Sequence, residues 1–359
     1  MKRSRKIAII GAGNGGQAIS AYLASKGAEV RLYDYDKAKV EELNNKGNLI
    51  ELCGAVVLKA QIHLITNSIA EAVHNADLIM ITTVADVHCI IAKQLSCLLE
   101  DGQTIILSPG RTGGALEFRQ IITREGCKAK VHVAEAQTLV YACRLIENGK
   151  VNIIGVKDKV LLSALPSSET PDVLAKITPY YECFVAAENV LRTSLENIGA
   201  IFHPCVLMLN AATIERQSEF WFYKDMTPQV ANFIEQFDNE RLAVGQAYGI
   251  DLLGVNEWIS YAYPDTEGDT LCEKMINNPA YREIKSPSTI FTRQLTEDIP
   301  TGVLPILELG MAAGLKMPLM NSVLSICSAL LGIDFSYGRT LENLGIKGMS
   351  KDEILKYLA

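Results

Sequence analysis

Along the first half of the chain, short apolar runs alternate with segments whose apolar residues recur every three or four positions. The runs fall at 6–10, 29–33, 77–83, 103–108 and 131–135. The periodic segments lie between them, at about 15–26, 35–46, 68–74, 87–99 and 115–124. Strands that are apolar on both faces need cover on both faces. Alternating strand and helix therefore predict a parallel sheet with helices on either side. Three further strand-like runs, 140–145, 151–156 and 160–165, are expected to extend that sheet.

After about residue 186 the β-branched runs give way to helical spacing. Long helices are expected at 188–213, 228–248, 255–261 and 318–331, and a short one at 351–358. A length of 359 residues suits two domains. The boundary is placed so that 1–186 forms a nucleotide-binding domain and 187–359 a helical domain for substrate and catalysis. The apolar residues of 318–331, Leu319, Val323, Ile326, Leu330 and Leu331, face either a second subunit in a two-fold homodimer or this domain's own core.

The first run ends in Gly11-Ala12-Gly13-Asn14-Gly15-Gly16, which opens a helix. This is G-x-G-x-x-G in the strand–turn–helix setting that a dinucleotide needs. Gly11 allows the tight turn, Gly13 lets the backbone approach a pyrophosphate, and Gly16 lets helix and strand pack closely. Asn14 and Gly15 complete the phosphate loop at the helix N-terminus. The fold class is thus an α/β Rossmann-type doubly wound parallel sheet followed by an all-α helical domain. Asp34 ends the second run and is placed to accept hydrogen bonds from the adenosine ribose hydroxyls, which favours NAD. Its alternative role is a helix cap. Arg31 and Lys37 nearby leave NADP open. The loop Ser108-Pro109-Gly110-Arg111-Thr112-Gly113-Gly114 follows another strand. Pro109 and Gly110 are assigned to the cofactor site there, because such backbone N–H groups can face nicotinamide or a carboxylate. The competing reading is a plain glycine-rich turn.

Composition narrows the partners. A net charge of −7 argues against nucleic acid, yet a local arginine or lysine can still bind a small anion. The nine cysteines are odd in number and form no C-x-x-C, as suits free thiols in a reducing cytoplasm. The five histidines never pair at metal-ligand spacing, so no metal is expected. The basic start, Met1 to Lys6, imitates a signal n-region, but its apolar run stops at Gly11. No apolar stretch is long enough to span a membrane.

Two stretches of the second half carry candidate chemistry. His203 sits among apolar residues in a helical pattern, followed by Pro204, which removes a backbone donor. An imidazole beside a broken helix is suited to proton transfer, although most such histidines are packed core residues. In the second stretch, Asp298 precedes Pro300 and reads equally as a helix cap; Arg293 reads equally as a solvated charge.

In these blocks the chain resembles the opine dehydrogenases, the octopine/nopaline dehydrogenase group. The residues that carry the resemblance are the glycine loop, Ser108-Pro109-Gly110, Gly113 to Phe118 and Glu188-Asn189-Val190-Leu191. They continue through Thr193-Ser194-Leu195, Asn197, His203-Pro204, Asn278 to Arg282, Glu297-Asp298, Gly302 and Gly338 to Glu342. The resemblance implies an NAD(P)H-dependent joining of an α-amino acid to an α-keto acid, usually pyruvate. It implies that His203 is the proton donor and acceptor and that Asp298 orients it. It places Arg293 near cofactor phosphates and substrate, and Asn197 at the substrate. Relatives usually carry Thr where Ala136 stands and often Pro where Val140 stands, which bears on substrate identity. The apolar Phe202, Met208 and Leu209 near His203 point to an apolar or modest-sized amino acid. Two alternatives compete: a 3-hydroxy-acid dehydrogenase of the same two-domain plan, and a non-catalytic NAD sensor. The first typically needs a lysine on the opening helix of the second domain, and none occurs between Lys176 and Lys224.

Overall fold

The computed structural model describes residues 5–359; the basic start at 1–4 lies outside them. The chain forms two compact units, Met1–Ser194 with Lys356–Ala359, and Leu195–Leu355. By contacts the two units divide between Ser194 and Leu195, and Lys356–Ala359 belong to the first.

In the first unit, eight strands form one sheet. In chain order they are β1 (Lys6–Ile10), β2 (Glu29–Tyr33), β5 (Leu64–Thr66), β6 (Leu78–Ile81), β7 (Thr104–Leu107), β8 (His132–Ala136), β11 (Val160–Leu165) and β12 (Phe184–Ala186). Their spatial order is β12-β11-β8-β7-β6-β1-β2-β5. All neighbouring pairs are parallel except β11 with β8. The chain leaves β1 in one direction for β2 and β5, and β6 lies on its other side. Ligands of such sheets bind beyond the carboxyl ends of the strands at this reversal. Helices α1 (Asn14–Ser25), α2 (Lys37–Asn45), α3 (Ile69–Val73), α4 (His88–Leu95), α5 (Gly114–Arg124) and α6 (Thr170–Ile177) connect the strands. Ile7, Ile9, Ile19, Leu23, Leu32 and Met80 fill the core; each such side chain contributes about 1.5–3 kcal/mol on leaving water.

Two of the runs expected to extend this sheet do not. They form β9 (Tyr141–Glu147) and β10 (Lys150–Val156), which join β3 (Leu49–Gly54) and β4 (Leu58–Gln61) in a separate sheet of order β4-β3-β10-β9. Strand β10 pairs in parallel with β3 instead, and a tight turn at Gly149 (φ 87°) joins it to β9. Buried Gln17 of α1 clamps that turn, accepting from Gly149 N at 2.8 Å while its own amide donates to Ala12 O.

The second unit is helical apart from an isolated bridge between Trp221 and Lys285. The helix expected over 188–213 is three pieces: α7 (Val190–Leu195), which lies in the first unit up to Ser194, α8 (Gly199–Leu209) and α9 (Ala211–Glu215). The main break lies at 196–198, not at Pro204, which stays inside α8. There follow α10 (Pro228–Ala247), α11 (Val255–Ala262), α12 (Leu271–Asn277), α13 (Arg293–Thr296), a π-helical turn (Ile299–Val303), α14 (Leu304–Ala312), α15 (Pro318–Leu331) and α16 (Lys351–Leu358). Helix α8 is apolar apart from His203, and α10, α13, α15 and the π turn pack on it. On α15, Val323 is buried with Met320 and Cys327, while Ile326 and Leu330 are exposed. Among the described residues no helix is long and apolar enough to cross a membrane.

Helix α10 carries a fully buried ion pair. Arg241 Nε lies 2.6 Å from Asp238 Oδ1, and its Nη2 lies 3.1 Å from Oδ2. The guanidinium also donates to the Leu195 and Leu253 carbonyls, and Asp238 accepts from Val255 N at the start of α11. Removing one partner strands a buried charge, so Asp238→Ala is expected to cost about 3–5 kcal/mol. Urea unfolding reads this; a change below about 1 kcal/mol would show that the charge stays solvated.

Candidate active site

Each glycine of the first loop has its own steric role. Gly11 takes φ 106°, and its N–H donates to Tyr33 O at 2.8 Å. A Cβ on Gly16 would lie 1.7 Å from Gly11 O, so helix and loop could not approach as they do. A Cβ on Gly13 meets nothing within 4 Å. Gly13 is the extended N-cap of α1 and offers no side-chain cap, so the helix's first N–H groups have no cap side chain. Open space at the positive end of a helix fits a dinucleotide pyrophosphate. Gly15 packs against Leu139, and Asn14 Oδ1 accepts from Leu145 N at 3.1 Å. That use of the Asn14 side chain is structural.

Asp34 does not cap α2. Asp36 does, accepting from Ala38 N and Lys39 N. The buried Asp34 carboxylate accepts from Ala12 N at 2.7 Å and Lys39 Nζ at 3.0 Å on Oδ2, and from Asp36 N at 3.0 Å on Oδ1. Arg31, one of the residues that left NADP open, turns away. It pairs with Glu29 and donates to the Glu71 and His74 carbonyls.

The loop at 108–114 spends several of its N–H groups on the protein. Gly110 N donates to Ala136 O, and Gly113 N to Ser194 Oγ. Beneath it lies the fully buried Glu135, which accepts from Ala115 N, Thr193 Oγ1 and Ser194 Oγ at 2.7 Å each. A Cβ on Gly110 would strike that carboxylate at 2.7 Å. For these groups the glycine-rich turn is the better description; Pro109, half-buried, remains the loop's outer residue. Glu135 was not singled out from the sequence. Its one signal was a glutamate ending an apolar strand.

In the second unit, His203 Nδ1 lies 2.6 Å from Asp298 Oδ2, although the residues are 95 positions apart. Asp298 is 1% exposed and makes no side-chain cap to the π turn that it precedes. His203 keeps 22% of its side chain exposed. Gly302 explains the approach: a Cβ there would meet Ala200 Cβ at 2.5 Å and Asn197 Nδ2 at 3.0 Å. Asn197 itself is buried beside the turn. Gly338 passes as closely, where a Cβ would lie 2.4 Å from Pro300 O, and Arg339 N donates to that carbonyl.

Around the pair stand aromatic rings. Phe222 meets the His203 ring edge-on at 5.8 Å, and Tyr223 stacks on Tyr281 at 4.3 Å. Burial, together with Tyr263 and the Asp298 charge, pushes the Tyr223 phenol well above its ordinary range. Phe202 packs inward on Tyr223, and Leu209 is exposed, so the apolar neighbour of His203 is Phe222 instead. Arg293 opens α13 and reaches the buried Glu297 at 3.3 Å with 64% of its side chain exposed. Among the described residues no three His, Cys, Asp or Glu side chains gather as a metal site.

An opine dehydrogenase of Arthrobacter sp. (strain 1C) is 38% identical to the chain over 352 residues, 98% of each. The chain belongs to the opine dehydrogenase family. It is an NAD-dependent oxidoreductase. The family model for the alpha-helical domain of NAD/NADP octopine/nopaline dehydrogenase matches residues 186–331, which include His203 and Asp298. The model for the N-terminus of NAD-dependent glycerol-3-phosphate dehydrogenase matches residues 6–135. Octopine dehydrogenase solved with NADH and L-arginine superposes with a TM-score of 0.83 at 22% identity over 98% of each chain. NADP+-bound yersinopine dehydrogenase does so with a TM-score of 0.74 at 15% identity, over 100% of this chain and 98% of that one. Opine dehydrogenases thus share this fold.

Proposed function

We propose that this opine dehydrogenase condenses an L-amino acid with an α-keto acid such as pyruvate. The amine adds to the ketone, water leaves, and the imine is reduced to a secondary amine dicarboxylate. NADH supplies the hydride. The observation that carries the reading is the His203–Asp298 contact, a titratable imidazole fixed by a buried carboxylate.

An ionised carboxylate only accepts, so the proton in that contact sits on Nδ1. Nε2 is then the nitrogen that exchanges protons with the reacting amine and the departing oxygen. Asp298 stabilises the imidazolium formed on the way. Gly11, Gly13 and Gly16 shape the dinucleotide loop, Asp34 takes the ribose side, and Pro109 borders the nicotinamide side. Arg293 and Asn197 take substrate carboxylate and amide contacts. Phe222 beside His203 suits an apolar amino-acid side chain.

Two finer expectations accompany this reading. A cytoplasmic home fits nine free cysteines, and fractionation of the producing cells decides it. A homodimer through α15 fits the exposed Ile326 and Leu330; a single-chain mass by light scattering at micromolar protein removes it.

The test is a turnover assay with NADH, pyruvate and pooled amino acids. Oxidation of NADH is expected to need both substrates, with a secondary amine dicarboxylate found by mass spectrometry. Turnover with a keto acid alone would favour the hydroxy-acid alternative, and no turnover the sensor. His203→Ala is expected to lose about 10²–10⁴-fold in kcat, while NADH still binds. Asp298→Asn loses part of that, and the double variant less than the product, because the two act as a unit. Near-normal turnover by His203→Ala would reduce the histidine to a core residue.

A further inference from the structure

We propose that Lys39 sets the cofactor choice of the dinucleotide site, so that NADPH is admitted beside NADH. The inference rests on the cofactor reading above and goes beyond it to the residue that decides specificity. It starts from the state of Asp34. An ionised carboxylate has about four acceptor positions. Three are already used, by Ala12 N and Lys39 Nζ on Oδ2 and by Asp36 N on Oδ1. One position on Oδ1 is left for a ribose hydroxyl. A second is gained only if Lys39 leaves.

Lys39 is held there by its own helix. Asp36 caps α2 and accepts from Lys39 N at 3.3 Å, so the lysine stands in the first turn with its stem over Asp34. Its ammonium lies 3.0 Å from Oδ2 and its side chain keeps 24% exposure, against 5% for Asp34. The pair is neutral in sum. Two of the three ammonium donors are not spent on Asp34.

A lone carboxylate at the end of β2 repels the 2′-phosphate of NADP, whose charge is about −1.5 to −2. A carboxylate already neutralised does not repel it in the same way, and the ammonium can turn outward to meet it. With Arg31 committed to Glu29 and two carbonyls, Lys39 is the cation in contact with Asp34. NADH is served by Ala12-bound Asp34 through its ribose hydroxyl, and NADPH by Lys39.

The test is direct titration of the full chain with NADH and with NADPH, following nucleotide fluorescence, alone and at raised salt. The wild type is expected to bind both. Lys39→Met is expected to widen the ratio of NADPH to NADH dissociation constants by about tenfold or more. Lys39→Arg restores it, and Lys37→Met, which removes an exposed cation of the same helix, shifts it less than about twofold. Salt weakens NADPH more than NADH in the wild type, and this difference shrinks in Lys39→Met. A ratio in Lys39→Met within about twofold of the wild type, or an equal effect from Lys37→Met, overturns the proposal while leaving the cofactor reading intact. Failure of the wild type to bind either nucleotide overturns both.

Discussion

A carboxylate removed from water must be met by donors or give up its charge. Asp298 is in that position, and the middle of the second unit is arranged around meeting it. The π turn brings Asp298 against α8, and the turn can come that close only because Gly302 has no side chain to strike Ala200. Gly338 lets a backbone segment press on Pro300, where Arg339 N donates to the carbonyl. Pro204 interrupts the helix just past His203 without breaking it. The imidazole is thereby given one direction to face and one partner on Nδ1. Packing, backbone irregularity and electrostatics serve the same 2.6 Å contact.

What the chain displays locally was legible. The glycine loop, the runs that became β1, β2 and β11, and the helices α15 and α16 stand on patterns shorter than about twenty residues, where period and turn chemistry agree. Strands β3 and β4 were not seen. They are half-exposed, β3 ends at Gly54, and β3 finds its parallel partner in β10, far along the chain. The same non-local pairing drew β9 and β10 out of the main sheet. The break before α8 was hidden because the apolar period runs on through Ile198, Ala200 and Ile201, and only Asn197 and Gly199 hint at it.

The site was legible unevenly for the same reason. No spacing rule connects His203 with Asp298 across 95 positions. Their partnership came from the resemblance, whereas the residues alone suggested a core histidine and a helix cap. The cap reading of Asp34 failed because Asp36, two residues on, does that work. Glu135 went unnoticed because its donors come from α5 and α7, which no local pattern joins.

The buried carboxylates differ in what holds them, and that difference separates architecture from chemistry. Asp238 faces Arg241, a side chain that does not titrate near neutrality and has no exposure at all, so the pair can only hold helices in place. Asp298 faces an imidazole, the side chain whose intrinsic pKa lies near neutrality, with part of its ring open to a ligand. Asp34 faces a flexible lysine that is partly exposed and so able to change partners. A fixed partner stabilises, a titrating partner moves protons, and a mobile partner lets a ligand compete for the charge. Exposure of the partner, more than burial of the acid, decides which of these a buried carboxylate does.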